Sequence, residues 1–332
     1  MLFVDNRGIT DAQVNLALEE HVFRHKPADE DVLLFYVNAR AIIIGRNQNT
    51  IEEIDADVVA AREVQVVRRV SGGGAVYHDL GNLNFSFMTP EVHGRFSRYD
   101  HFTKPVIEAL RKLGVPAELG GRNDILAGGR KISGNAQFAT PARMFSHGTL
   151  LLDSDLDAVT AALRPKPGKV ESKGVKSIRS RVANIAEFLT TPLDVGALQD
   201  LILDEIFGTH DRARIPTLAL TDDDWAAVHA LVESKYGAWR WNYGENPPSN
   251  VQRARRFPAG EIDVRLDVRD GRIESARIFG DFMGRADVAD LEARLRGVRH
   301  DREAIARVLD GVTVADYVGD VPHDDVLDLL AP

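Results

Sequence analysis

The stretch Arg68-Arg69-Val70-Ser71-Gly72-Gly73-Gly74-Ala75-Val76-Tyr77-His78-Asp79 decides how this chain is read. It grows out of Glu63 to Val70, a valine-rich run with the composition of a strand. Three consecutive glycines let the backbone turn sharply and come close to a ligand. Successive exposed N–H groups in such a turn form an anion-binding concavity. Arg68 and Arg69 add donors suited to charge-assisted hydrogen bonds with phosphate. The spacing matches neither G-x-x-x-x-G-K-[ST] nor G-x-G-x-x-G. A ligand-free surface turn is the competing reading, and the paired arginines weigh against it.

Outward from this loop, strands and helices mix without regular alternation. Thr10 can cap a helix to about Arg24, with Val14, Ala17, Leu18, His21 and Val22 on one face. Strand patterns follow at Val32 to Val37 and Ala41 to Ile44, and Leu83, Phe85 and Phe87 alternate with Asn84, Ser86 and Met88. Phe102 to Leu113 reads as a helix closed by Gly114 and Pro116. Short strands are expected at Asp124 to Ala127, Lys131 to Phe138 and Phe145 to Leu152, and helices near Leu156–Leu163, Gly196–Phe207 and Asp223–Lys235. This order predicts an α+β fold, a mixed-sheet sandwich with flanking helices, rather than a doubly wound sheet. Asn242 to Ser249, with Gly244, Pro247 and Pro248, has the composition of a boundary. It divides residues 1–244 from a small C-terminal α+β domain, 250–332. There Asp270-Gly271 marks a hairpin between Glu261–Val268 and Arg272–Phe279, followed by helices at Val288–Arg296 and Arg302–Leu309.

The 332 residues are 44% hydrophobic and 27% charged, enough to bury a substantial core. A formal net charge of -9 argues against nucleic acid as the main partner, because neutralising phosphates takes a basic surface. No apolar run reaches the ~18–20 residues that span a bilayer, and the N-terminus has no secretory pattern, so a cytoplasmic location without membrane attachment is expected. Cysteine is absent. A thioester on a cysteine nucleophile is therefore outside this chain's chemistry.

Downstream, Gly121-Arg122-Asn123-Asp124-Ile125-Leu126 precedes Gly129-Arg130-Lys131-Ile132-Ser133-Gly134-Asn135-Ala136. Taken alone, a strand lysine such as Lys131 reads as a solvated edge residue. Acyl adenylation gives it another use: a carboxylate meets an α-phosphate, negative charge accumulates, and a held ammonium lowers the barrier. Asn123-Asp124 reads first as turn chemistry, with a share in holding Mg²⁺ as the functional alternative. Between Arg164 and Arg181 lie Lys166, Lys169, Lys173, Lys176 and Arg179, with Glu171 the only acid. Such a run is either a solvated surface or a clamp for an anion.

Arg68 to Phe87, including Gly81-Asn82-Leu83-Asn84, resembles the lipoate-binding loop of lipoate–protein ligases. The resemblance extends to the opening helix, Gly45-Arg46-Asn47-Gln48-Asn49-Thr50, His147-Gly148-Thr149-Leu150-Leu151-Leu152 and Trp239-Asn242-Tyr243-Gly244. Biotin ligases share that fold, but their different glycine- and arginine-rich loop is not found here. The resemblance implies an ATP-dependent enzyme that converts lipoate to lipoyl-AMP and passes the acyl group to a lysine of lipoyl domains in 2-oxoacid dehydrogenase E2 subunits or of the glycine-cleavage H protein. It makes Lys131, in the K-x-S-G segment, the catalytic lysine, in contact with both adenylate and lipoate. It implies adenylate contacts from Arg69, Gly74, Ala75, Val76, Tyr77, Asn82, Asp124, Lys176 and Arg179. It implies lipoate contacts from Ser71, Gly72, Gly73, His78, Ser133, Gly134, His147 and Gly148, with Asp124 as the candidate Mg²⁺ ligand. Burying about seven lipoyl carbons at ~0.8 kcal/mol each supplies roughly 5–6 kcal/mol, so an apolar tunnel is required. Leu83, Phe85, Phe87 and Leu150 are candidates for its wall, with ordinary core as the competing role. Octanoyl and lipoyl transferases of the same fold work through a cysteine that this chain lacks, and a non-catalytic acyl-adenylate binder remains the other alternative.

Overall fold

The computed structural model describes residues 1–26, 29–90, 96–163, 181–244 and 249–332. Compactness divides them into two units. The first comprises Met1–Ile43, Ile51–Arg68 and Val76–Asn242; the second comprises Ile44–Thr50, Arg69–Ala75 and Tyr243–Pro332.

In the first unit the strands in chain order are β1 (Leu2–Val4), β2 (Val32–Val37), β3 (Ala41–Ile44), β4 (Gln65–Arg68), β5 (Val76–His78), β6 (Asn82–Thr89), β7 (Ala117–Gly120), β8 (Asp124–Ala127), β9 (Arg130–Ala139) and β10 (Met144–Leu151). Among the described residues the main sheet has seven strands in the order β1-β2-β6-β10-β9-β8-β7, and a small sheet has the order β4-β3-β5. Only the β1–β2 pairing in the main sheet is parallel; the others are antiparallel. The mixed α+β architecture expected from the element order is present. The helices are α1 (Ala12–His25), α2 (Thr50–Glu53), α3 (Ala56–Ala61), α4 (Tyr99–Lys112), α5 (Leu156–Ala162), α6 (Val195–Phe207), α7 (Asp222–Leu231) and α8 (Trp239–Tyr243).

The pleat of β6 separates two environments. Leu83, Phe85 and Phe87 enter a core with Phe102, Val106 and Leu110 of α4 and Leu198, Ile202 and Leu203 of α6; Leu150 of β10 joins them. The opposite face carries Asn82, Asn84 and Ser86, which are equally buried. Helix α1 reaches residues that share this second face. Phe23 stacks edge-on against Phe145 and Phe138, with centroids 5.2 and 5.6 Å apart, and Glu19 bonds His147. Amphipathic periodicity names only part of that helix's buried surface, since Asn15, Glu19 and Glu20 are buried as well.

Two of the boundaries that differ from expectation have a visible cause or consequence. Asp11, not Thr10, caps α1, accepting from the Gln13 and Val14 N–H groups. The helix expected over Asp223–Lys235 is α7, which runs into a π-helical turn, Val232–Tyr236. That turn brings Lys235 and Tyr236 onto the carboxylate of Glu20, at 2.6 and 2.7 Å.

The second unit holds an antiparallel meander of β11 (Val251–Phe257), β12 (Gly260–Arg269) and β13 (Arg272–Gly280), with α9 (Val288–Leu295), α10 (Arg302–Leu309), α11 (Val314–Val318) and α12 (His323–Leu330). Its hairpin turns at Asp270-Gly271, both at positive φ, 49° and 71°, as a type I′ turn requires. Its core includes Ile262, Val264, Leu266, Phe282, Leu291, Leu295 and Leu309. Strand β11 lacks an alternating apolar face and was not expected. It forms because its ladder with β12 runs unbroken from Val251↔Leu266 to Phe257↔Gly260.

Candidate active site

In the first unit, the site is built around the β8–β9 hairpin. Gly128 and Gly129, at φ 55° and 75°, make its two-residue turn. Beyond the turn the register shifts between Ile125 and Leu126. Lys131 pairs with Leu126, two residues from Asp124 on the same face, and its Nζ lies 2.8 Å from Oδ1; the shift brings Gly134 opposite Asp124. The backbone of Lys131 is bonded on the edge away from β8: its N–H donates to the Arg181 carbonyl at 2.7 Å, and its carbonyl accepts from Ala183 at 2.9 Å. An added Cβ at Gly134 would lie 2.9 Å from the Lys131 Nζ and 3.0 Å from its Cε. The lysine thus lies across a strand position that carries no side chain. The ion pair is about one-third exposed at each partner, and such pairs are worth roughly 0–1 kcal/mol. It places the ammonium; it does little to hold the fold.

Neighbouring polar residues brace this corner. Asn135 and Asn123 exchange bonds: Asn135 Nδ2 donates to the Asn123 carbonyl at 2.9 Å, and Asn123 Nδ2 donates to the Asn135 carbonyl at 2.5 Å. Ser133 is buried and accepts from Asn135 Nδ2. Gly148 has a packing reason, because a Cβ there would meet Asn135 Oδ1 at 2.1 Å and Phe85 at 2.5 Å. On the polar face of the sheet, Asn82 donates to Asn84 Oδ1 at 3.0 Å, and Asn84 donates to the Tyr36 carbonyl. His147 Nδ1 lies 3.0 and 3.1 Å from the two carboxylate oxygens of Glu19. His78 Nδ1 lies 3.0 Å from Asn38 Nδ2. The phenol of Tyr77 is pushed up by burial and by the Asp79 carboxylate.

Arg68, also in the first unit, donates through Nε to the Trp241 carbonyl and through Nη2 to the Asn242 carbonyl. Its own backbone is clamped by Asn242 Oδ1 and Trp241 Nε1. The expected phosphate donor is here engaged with α8. The second unit contains the glycine loop itself. Arg69 folds back on it, donating to Ser71 Oγ and to the carbonyls of Gly72 and Gly74. Gly72 has the Phe282 carbonyl 2.4 Å from where a Cβ would stand, and Gly45 has the Gly73 carbonyl at 1.8 Å. Gly74 faces open space. Close packing accounts for two of these glycines and leaves Gly74 available to a ligand.

Lys176 and Arg179 lie outside the described residues. Leu83, Phe85, Phe87 and Leu150, offered as tunnel wall, line the core shared with α4 and α6. Asp124 is engaged by Lys131, and among the described residues no group of three metal-ligating side chains comes together. Residues that the sequence left unnoticed are Glu19, Asn38 and Trp241. Each acts on a partner far along the chain, as with Glu19 and His147, 128 residues apart, so no local pattern marks it.

Comparison with known proteins shows the family. Residues 11–207 match the lipoyl protein ligase A/B catalytic domain, and residues 246–330 match the bacterial lipoate protein ligase C-terminus. A lipoate-protein ligase of Bacillus subtilis is 52% identical over 99% of this chain and 100% of its own length. Lipoate–protein ligase 1 of Staphylococcus aureus is 49% identical over 100% of both. Among solved structures, P. falciparum LipL1 in complex with lipoate superposes with a TM-score of 0.76 at 22% identity, covering 99% of this chain and 97% of that one. A lipoate-protein ligase A bound with ATP does so with 0.60 at 29%, covering 74% and 97%. A bi-partite lipoate protein ligase from Thermoplasma acidophilum, described with its E2 lipoyl domain, gives 0.65 at 28%, covering 75% and 98%. With more than half its length matched by the catalytic-domain family and near-full-length relatives at about half identity, the chain belongs to the lipoate–protein ligases.

Proposed function

We propose that this ligase joins lipoate to a lysine of a lipoyl-domain protein in two steps, with Lys131 as the catalytic cation. In the first, a lipoate carboxylate oxygen attacks the α-phosphorus of Mg-ATP; the bond to the β-phosphate oxygen breaks and pyrophosphate leaves. In the second, an acceptor lysine amine attacks the carbonyl of lipoyl-AMP, loses a proton, and expels AMP as the amide forms. The observation that carries this reading is the placement of Lys131: its backbone N–H and carbonyl are both held by the 181–183 segment, and its ammonium rests on Asp124 above the bare Cα of Gly134. A cation held before substrate arrives needs little reorganisation as charge develops between carboxylate and phosphate. Asp124 holds the ammonium until substrate oxygens compete for it. Mg²⁺ is assigned to the incoming nucleotide, consistent with its habit of binding through phosphates and few protein carboxylates.

Within the same proposal residues 1–244 form the catalytic domain and 250–332 an accessory domain. Adenylate contacts fall to Arg69, Gly74, Ala75, Val76, Tyr77, Asn82, Asp124, Lys176 and Arg179, and lipoate contacts to Ser71, Gly72, Gly73, His78, Ser133, Gly134, His147 and Gly148. The acceptors are E2 lipoyl domains or H protein, and the reaction takes place in the cytoplasm. Among the described residues no helix is long and apolar enough to cross a membrane. Lys131→Ala should lower lipoate-dependent ATP–pyrophosphate exchange by about 10²–10³ and transfer from preformed lipoyl-AMP as well. Exchange at the wild-type rate in a folded Lys131→Ala protein would refute the role.

A further inference from the structure

His78 is held by a run of side-chain amides whose polarity can be read from the backbone. Asn15 Nδ2 lies 2.9 Å from the Ile9 carbonyl and 3.2 Å from the Val37 carbonyl. Carbonyl oxygens only accept, so this atom is the amino group. The same group lies 2.9 Å from the side-chain oxygen of Asn38, so the other terminal atom of Asn38 is its amino group. That group stands 3.0 Å from His78 Nδ1. At the head of the run, Asn6 Nδ2 donates to the Ile9 carbonyl at 2.8 Å and to Asn15 Oδ1 at 3.0 Å. Every donor therefore points the same way, from Asn6 through Asn15 and Asn38 to the imidazole. All four side chains are buried. Reversing any amide sets two donors, or two acceptors, face to face among buried side chains.

A donor aimed at Nδ1 needs a lone pair there, and a neutral imidazole carries its one proton on the other nitrogen. His147 has the reverse arrangement, because its Nδ1 faces the carboxylate of Glu19, which accepts when ionised. We propose that Asn15 and Asn38 are positioning residues that hold His78 as the neutral Nε2–H tautomer, a hydrogen-bond donor to the carboxylate or acyl oxygen of the substrate. The same lock removes His78 as the base for the acceptor amine, since its Nε2 already carries a proton and its Nδ1 is occupied. The tautomer follows from the geometry alone; the substrate contact rests on the reading of His78 as a lipoate-site residue.

The test uses the full chain labelled with ¹⁵N-histidine, and two-bond ¹H–¹⁵N spectra at pH 7.5. The wild type should show a bare Nδ1 and a protonated Nε2 at His78, with the opposite pattern or a doubly protonated ring at His147. Asn38→Asp presents a carboxylate to Nδ1 and should move a proton onto it. Asn15→Asp acts one residue further back: it should turn the Asn38 amide around and put the proton on Nδ1 without touching the imidazole. Unchanged His147 signals certify the fold in each variant. A protonated Nδ1 at His78 in the wild type overturns the lock, as does a His78 pattern unmoved by both variants. In lipoate adenylation the two variants should raise KM for lipoate by about tenfold, the worth of one well-placed hydrogen bond, with a smaller change in kcat. A reversed tautomer with unchanged KM would leave the lock standing and overturn the substrate contact.

Discussion

The side chain of Lys131 is specified as much by what is missing at residue 134 as by what is present at residue 124. A methyl group on Gly134 would meet only the far end of a flexible lysine, and Gly134 has an ordinary φ, so the fold should tolerate alanine there. The ammonium would have to move by a few tenths of an ångström or more. Gly134→Ala is expected to melt within a few degrees of the wild type yet lose about tenfold or more in adenylation rate, since misplacing a reacting group by about 1 Å costs on the order of 10². Differential scanning fluorimetry and ATP–pyrophosphate exchange on one preparation would check both halves. Equal loss in both would mean that the glycine serves the fold, not the lysine.

At the level of elements, what the sequence reveals is set by where a residue's partners lie. Strands β2, β3 and β8 fall at the residues their patterns mark, and Asp270-Gly271 turns as its composition demands, because those signals are local. The lysine segment was legible through its resemblance to a family. The polar face of the main sheet was not: Asn82, Asn84 and Ser86 alternate with phenylalanine and leucine and pass for a solvent side, yet they are buried. Helix α1 shows the same limit. Its Glu20 accepts from Lys235, Tyr236 and Arg24, and two of those partners lie more than two hundred residues away. Burial alone would raise the Glu20 carboxyl, but the bonds from Lys235, Tyr236 and Arg24 outweigh it and leave it lowered. A carboxyl lowered on folding stabilises above its unfolded pKa of about 4.3, and that stability drains away as pH falls through the folded value. Melting temperature should therefore drop in acid below about pH 4.3, and Glu20→Gln should flatten that limb while costing about 1–3 kcal/mol at pH 7. An unaltered acid limb in the variant would show that other carboxylates control it.

For the whole molecule, the two compact units are not two successive halves of the chain. Segments 44–50 and 69–75 belong with 243–332: Gly280 N–H donates to the Asn47 carbonyl at 2.8 Å, Arg46 pairs with Asp287, and Gly72 lies against the Phe282 carbonyl. Two alanine substitutions two residues apart should then behave differently. Gly72→Ala pushes a methyl into backbone and should cost about 1–3 kcal/mol of stability; Gly74→Ala meets open space and should leave melting unchanged while weakening nucleotide-dependent activation. Equal melting of the two variants would deny the packing role of residue 72. The interleaving also has a consequence during synthesis. A ribosome releases residues 44–75 early, but the carbonyl of Phe282 and the carboxylate of Asp287 emerge some two hundred residues later, on the order of ten seconds or more at roughly 5–20 residues per second. Until then the arginine–glycine loop has no floor to settle on, and a nascent chain stalled before that point should be unable to activate its substrate.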